Sequence, residues 1–396
     1  MKKLNNLNKY VTAAVLCSTI VMVDLHTSTV SYANTNSNSN SNSTVVIAQP
    51  DEKLLEDFRK ELKKHIDNQS ENITITYKTK KENIKEVMNQ LYKEYSKILD
   101  ADEYAKYIVA STKYSINGLP GNYTFTLKVK YHESKGQTQF VKSQAKEIIG
   151  SIVKPGMDEH EKVKVIHDYV VKHVSYDMSK QAYSAYEALA NSSAVCQGYT
   201  LLTYQLLKEA GIQNHIVIGK GNGEDHAWNL VNIENKWYHL DTTFDDPVPD
   251  KAGRVTYSYF NISDEQLSKD HVWDRSKYPA ATTSYFGALT NKIKAGSSKT
   301  AAYEQMLKET NLKYLSAQYG ADNYSEFKKK LQQQFTSKPE KVEVRYKQSM
   351  DGTMQDIEKV LNEINLPKDA KGVSYQVAPY SAMAGYSLAT ITFTYQ

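Results

Sequence analysis

The stretches Ala194-Val-Cys196-Gln-Gly-Tyr199, Asp225-His226-Ala-Trp228 and Trp237-Tyr-His-Leu-Asp241 decide how this chain is read. They set a cysteine, a histidine and an aspartate in that order, each at the edge of a recognisable element. Cys196 opens a helical pattern carrying Leu201, Leu202, Leu206 and Leu207, and Gly211 stands where a helix C-cap is expected. A thiol at a helix N-terminus meets the positive end of the dipole and unpaired amides, which favour the nucleophilic thiolate. Strand patterns follow near residues 212–218, 226–233 and 237–242. With Glu234-Asn235 as a two-residue turn, Ile233 faces Lys236 and Trp228 faces Asp241. His226 then shares a face with Asp241 as its diagonal neighbour, ~7–8 Å away along the backbone, close enough for an imidazole and a carboxylate to meet. A slip of one residue would put the two on opposite faces.

These residue types in this geometry suit nucleophilic catalysis. Cys196 is the expected nucleophile, His226 the base, and Asp241 the group that orients the ring and stabilises its imidazolium. Gly198 is expected to let a substrate backbone approach, and Trp228 to support the pair. His239 also shares the face of Asp241 and is the rival base. A zinc site drawn from Cys196, His226, His239 and Asp241 lacks short-spaced ligand pairs such as C-x-x-C, so neither metal nor cofactor is expected. Upstream, residues 157–176 read as a helix with Val163, Ile166, Val170 and Val174 inward, and residues 181–190 as a second, short one. His160, His167 and His173 along the first are expected in packing and solvated positions.

Val195-Cys-Gln-Gly-Tyr199, Ala210-Gly-Ile212, Asp225-His-Ala-Trp-Asn229 and Lys236-Trp-Tyr-His-Leu-Asp241-Thr-Thr-Phe-Asp-Asp-Pro247 together resemble the bacterial secreted branch of the transglutaminase-like superfamily. So do Ile166-His-Asp-Tyr169, Tyr259-Phe-Asn-Ile-Ser263 and His271-Val-Trp273, and the likeness spans about residues 156–280. The resemblance implies a papain-like α+β fold, with the nucleophile on a helix and the histidine and aspartate on adjoining strands. Carried over position by position, those residues are Cys196, His226 and Asp241. Phe244 stands where many relatives have tryptophan, a departure expected to stay clear of the triad. The implied chemistry is acyl transfer through a thioester, ending in cross-linking by an amine or hydrolysis by water. The Cys196 amide is one expected oxyanion donor and the Tyr176 hydroxyl a candidate for the second. The expected partner is a protein or peptide substrate, at the cell surface or on a host.

Residues 1–33 read as a secretory signal peptide. Lys2, Lys3 and Lys9 precede the apolar run 11–23, and Ser31-Tyr32-Ala33 ends the stretch as a small-x-small cleavage site. That run of about 13 residues is short of the roughly 20 needed to span a bilayer. Its removal lowers the formal charge from +4 to +2, too little to draw nucleic acid, and takes away Cys17, leaving Cys196 as the one cysteine. Secretion, with at most loose surface association, is expected. Residues 34–50 are an Asn/Ser-rich flexible linker that cannot pack a core.

Two small α+β modules are expected at residues 51–150 and 291–396, flanking a catalytic domain at 151–290. Phe58, Leu62, Ile66, Ile73, Ile75 and Tyr77 match Phe327, Leu331, Phe335, Val342, Val344 and Tyr346 at one constant offset. After a short insertion around 351–354, Ile84, Val87 and Met88 match Ile357, Val360 and Leu361, and the strand at 123–131 answers the one at 386–395. Internal duplication is the expected origin. The expected fold is therefore α+β, with a central papain-like transglutaminase core between two small duplicated modules. The competing reading is a non-catalytic extracellular binding or scaffolding protein that keeps the fold.

Overall fold

A computed structural model describes residues 51–246, 248–249, 253–367 and 369–395. The expected signal peptide at residues 1–33, the expected linker at 34–50 and Pro247 lie outside the described residues. In chain order the elements are α1 (Asp51–Asp67), β1 (Asn72–Tyr77), α2 (Ile84–Asp100), α3 (Glu103–Tyr107), β2 (Val109–Leu119), β3 (Asn122–Tyr131), α4 (Lys135–Ile152), α5 (Glu159–His173), β4 (Ser175–Tyr176), α6 (Ala185–Ala190), β5 (Ser193–Ala194), α7 (Cys196–Glu209), β6 (Asn214–Gly221), β7 (Glu224–Ile233) and β8 (Lys236–Leu240). Then come β9 (Phe260–Ile262), α8 (Asp264–Leu267), β10 (His271–Trp273), α9 (Tyr285–Ala295), α10 (Thr300–Glu309), β11 (Gly320–Ala321), α11 (Tyr324–Phe335), β12 (Lys341–Tyr346), α12 (Met350–Glu363), β13 (Gly372–Pro379) and β14 (Ser387–Thr394). The chain forms two compact units. Of the described residues, one holds those up to Asn235 with those of Leu240–Arg254 and Asp270–Pro279; the other holds those of Lys236–His239, Val255–Lys269 and Ala280–Gln396.

In the first unit, α1 buries Leu55, Phe58, Leu62 and Ile66 along one stripe, and β1 alternates buried Ile73, Ile75 and Tyr77 with exposed neighbours. They pack on α2 and on Tyr123, Phe125, Leu127 and Val129 of β3, with the sheet in the order β1-β3-β2. This module is tied to the rest of its unit by polar contacts. Glu103 Oε2 accepts from the Ile216 amide at 2.6 Å, its Oε1 lies 2.6 Å from His215 Nδ1, and the Gln197 side chain donates to the Tyr107 carbonyl at 2.8 Å.

The remainder of that unit sets α7 against a sheet in which β6 lies between β7 and β10, both antiparallel to it. The β6–β7 turn is Asn222-Gly223, with φ of 50° and 86°, the left-handed pair that a two-residue hairpin needs. At the other end of β7, Glu234 and Asn235 both have positive φ, 51° and 61°, so β7 stops at Ile233 and β8 starts at Lys236 as the register argument requires. The short parallel pairing of Ser175-Tyr176 with Ser193-Ala194 feeds the chain into α7. That helix ends in a Schellman motif: the Ile212 amide donates to the Leu207 carbonyl and the Gly211 amide to the Lys208 carbonyl.

In the second unit, α11, β12, α12 and β14 bury Phe327, Leu331, Phe335, Val342, Val344, Tyr346, Ile357, Val360, Ile391 and Phe393 in one cluster, with Tyr375 and Val377 of β13 partly buried against it. The strands run β11-β12-β14-β13, so β12, β14 and β13 repeat the order of β1, β3 and β2, after the same helix–strand–helix sequence. Among the described residues no helix is long and apolar enough to cross a membrane.

Candidate active site

Cys196 is the first residue of α7 and is buried. The N-cap, Val195, offers no side chain to the first-turn amides, so the helix start keeps its positive dipole end without a competing cap. Tyr176 and Tyr183 pack against the small cluster of Val195 and Cys196, and burial pushes the Tyr176 hydroxyl up to about 12. One turn along the same face, Thr200 Oγ1 donates to the Ala227 carbonyl at 2.9 Å, and Asn229 Nδ2 donates to the Thr200 carbonyl at 3.2 Å. These bonds fix the start of α7 over the part of β7 that carries His226.

His226 Nε2 lies 2.7 Å from Asp241 Oδ2. The two side chains thus meet, and both are buried. His226 Nδ1 is buried with no hydrogen-bond partner. Asp241 Oδ1 accepts from the amides of Thr243 and Phe244, each at 3.0 Å, and Oδ2 takes a second imidazole, His271 Nε2, at 3.2 Å. Burial alone would raise the Asp241 pKa. The charge of His226 and the hydrogen bonds from His226 and His271 outweigh burial and hold it well below the usual carboxylate range. His271 Nδ1 lies 2.6 Å from Asp270 Oδ1. Burial would lower the pKa of that ring, but its hydrogen bonds to Asp241 and Asp270 raise it to about 9.

His239, the rival base, is buried against a different acid: its Nε2 is 2.8 Å from Asp264 Oδ1. Among the described residues, His226, Asp241 and His271 are the metal-ligating types whose donor atoms converge, all within 4.8 Å of one another. Here that convergence is a hydrogen-bonded chain, because both imidazoles address one carboxylate oxygen and the amides take the other.

The imidazoles need space, and glycines provide it. A Cβ on Gly221 would sit 2.8 Å from Phe244 Cζ and 3.1 Å from both His226 Cδ2 and His271 Nε2; one on Gly219 would sit 2.9 Å from Trp228 Cη2 and 2.3 Å from the Val272 carbonyl. The Trp228 ring stands 5.7 Å from that of His226 and edge-on to His271 at 5.1 Å. Gly221→Ala is expected to cost about 1–3 kcal/mol through overpacking. It should also perturb the near-UV circular dichroism of Trp228, and a denaturation midpoint equal to wild type would refute the crowding argument.

Three expectations need correction. The space beside Gly198 is not left for a substrate: an added Cβ would lie 2.6 Å from Ala194 Cβ and 2.9 Å from the Ser184 carbonyl, so the missing side chain lets α7 pack on its own chain. Phe244 does touch the triad, its ring centroid 4.6 Å from that of His226. His167 is neither a plain packing residue nor solvated: it is fully buried between Asp168 (3.2 Å) and Asp245 (3.0 Å), and those acids raise its pKa against the lowering effect of burial. That contact and the 2.5 Å approach of the Tyr199 hydroxyl to Asp246 anchor the loop after Asp241 to α5 and α7. His271 had no assigned role in the sequence. The alternating Gly219 and Gly221 on β6 were the signal that a bulky group from a further strand must fit there.

Residues 146–242 match the model of the Transglutaminase-like superfamily, a span that contains Cys196, His226 and Asp241. Kyphoscoliosis peptidase of Mus musculus is 28% identical over 180 residues, covering 38% of this chain and 27% of that protein. The Homo sapiens protein of the same name is 28% identical over 137 residues, 30% of this chain and 21% of its own length. The chain thus spans about a quarter of the length of the curated relatives it matches. A solved structure of a TGase is 17% identical with a TM-score of 0.24, covering 46% of this chain and 54% of that one. Residues 146–242 are thus similar to a transglutaminase-like domain, and the described fold is mixed α+β.

Proposed function

We propose that this protein is a secreted cysteine acyltransferase or peptidase that works on protein carboxamide or peptide bonds through a thioester on Cys196. The observation that carries the reading is the division of labour on His226. One ring nitrogen is held by Asp241 at 2.7 Å, and the other is buried without a partner on the strand against which the Cys196 helix packs. That is what a base needs when one nitrogen sets the ring's orientation and the other exchanges a proton with a thiol.

The steps balance without a further reagent. The Cys196 thiolate attacks the acyl carbon, and the oxyanion that forms is met by the Cys196 amide at the helix start. As the tetrahedral adduct collapses, the imidazolium of His226 gives its proton to the departing ammonia or amine, and the acyl group stays on sulfur. An incoming amine or water then loses a proton to His226 and attacks the thioester, and the thiolate returns. Both outcomes share this intermediate, and the names of the relatives, a peptidase and a TGase, span both.

Export is inferred from the leader at residues 1–33, and the paired order of elements in the two flanking modules supports their origin by duplication. Among their described residues those modules bring together no metal-ligating group of three or more, and they are assigned to substrate positioning. The test sets the mature chain and its Cys196→Ala variant against an amine probe with a glutamine-rich acceptor, and then against a peptide library. Probe incorporation lost in the variant establishes transglutamination; cleavage lost in the variant establishes proteolysis. Neither activity, together with no alkylation of Cys196 by iodoacetamide at neutral pH, sinks the enzyme reading in favour of a binding protein.

A further inference from the structure

Asp241 accepts four hydrogen bonds, and two of them reach one oxygen from different imidazoles. The second imidazole, His271, has a carboxylate at each nitrogen: Asp241 at 3.2 Å and Asp270 at 2.6 Å. A neutral imidazole has one N–H, so donation to both carboxylates requires the imidazolium. The ring is fixed as well as charged. It pairs across β10–β6 with Gly221, meets the edge of Trp228, and lies 4.7 Å from the ring of Phe244.

We propose that His271 is a positioning residue of the reactive centre, an imidazolium that fixes Asp241 and offsets part of its charge, so that Asp241 orients His226 without holding the proton of its imidazolium as tightly as a lone carboxylate would. The inference rests on reading Cys196 and His226 as a reactive pair. The rings of His226 and His271 are 5.5 Å apart. Coulomb energy falls as the inverse of distance, so a cation there offsets part of what the carboxylate in contact contributes. An imidazolium that must hand its proton to a leaving amine works better when it is not over-stabilised. Of the other charged groups nearby, Lys220 on β6 and Asp225 on β7 pair with each other at 3.2 Å, Arg275 lies over the Trp273 ring, Glu224 stands at the start of β7, and His215, at the far end of β6, pairs with Glu103.

The test needs no substrate. The rate of Cys196 alkylation by iodoacetamide is followed against pH for the mature chain, for His271→Gln, whose amide can still donate to Asp241, and for His271→Asn. Loss of a nearby positive charge makes neighbouring protons leave at higher pH. Both limbs of the profile should therefore move up in the glutamine variant, by about half a unit or more. Superimposable profiles would overturn the proposal and leave His271 a structural residue. Should both variants fail to fold, ¹⁵N spectra of histidine-labelled wild type decide: both His271 nitrogens protonated at pH 7.5 supports the proposal, and a neutral ring there overturns it. A shifted profile in a protein that turns over no acyl substrate would refute the reaction and keep this inference. Turnover with an unshifted profile would do the reverse.

Discussion

Asp241→Ala is expected, on the proposed reaction, to lower Cys196-dependent turnover by about 10⁴-fold, the loss that follows when the orienting carboxylate of a triad is disabled, and to destabilise the fold by about 3–5 kcal/mol, the cost of stripping one partner from a buried ion pair. The two effects have separable causes. Turnover falls because His226 Nε2 loses the contact that sets its tautomer and ring plane. Stability falls because the variant leaves the buried His271 cation facing a void and leaves the amides of Thr243 and Phe244 without their acceptor. Asp241→Asn separates them: its carbonyl can keep the two amides, so part of the stability returns, while its NH₂ opposes two imidazoles and turnover stays low. The double variant Asp241→Ala/His271→Gln should be more stable than Asp241→Ala alone, because it removes the orphaned cation. Urea denaturation of wild type, Asp241→Ala, His271→Gln and the double variant measures this. Additive losses would show that His271 and Asp241 are not coupled.

How far the sequence anticipates this site depends on whether a local signal spans the distance between partners. His226 and Asp241 are legible because a single two-residue turn separates their strands, and Glu234-Asn235 takes the left-handed conformation such a turn demands. Asn222-Gly223 carries a stronger hairpin signal still, yet the expected strands stop at residue 218 and restart at 226. That leaves Gly219 and Gly221 unplaced, and with them the room for the imidazoles. His271 is beyond such reasoning, since a loop, a strand and a short helix separate it from Asp241 and β10 is three residues long with no periodicity to read. In the flanks, the core stripes of α1, β1, α11 and β12 are legible because burial follows the period of each element. The edge strands β2 and β13 are not, because both bury too little in alternation to stand out from a polar turn.

Stability should also fall as the medium turns alkaline, through a window set by the same histidine. The folded-state pKa of His271 is about 9, against about 6.5 in an unfolded chain. A group raised on folding contributes fully below its unfolded pKa, and the contribution is lost as pH climbs through the folded one. Between pH 6.5 and 9 the folded protein keeps a proton that the unfolded chain has released, which amounts to roughly 3 kcal/mol at 1.36 kcal/mol per unit. His167, raised between Asp168 and Asp245, adds to the same limb with the same sign. On the acid side the sign reverses for the carboxylates: Asp241, held low, and Asp168, lowered to about 2, stabilise above their unfolded pKa and lose that contribution only in strong acid. The buried Tyr95 and Tyr204, each pushed up to about 12, oppose folding only where unfolded tyrosine ionises, near pH 10 and above. Thermal melts of wild type should therefore hold a plateau from about pH 5 to 6.5 and decline toward pH 9. His271→Gln, less stable on the plateau, should decline much less over the same interval, and parallel declines in the two proteins would show that His271 carries no extra proton in the fold.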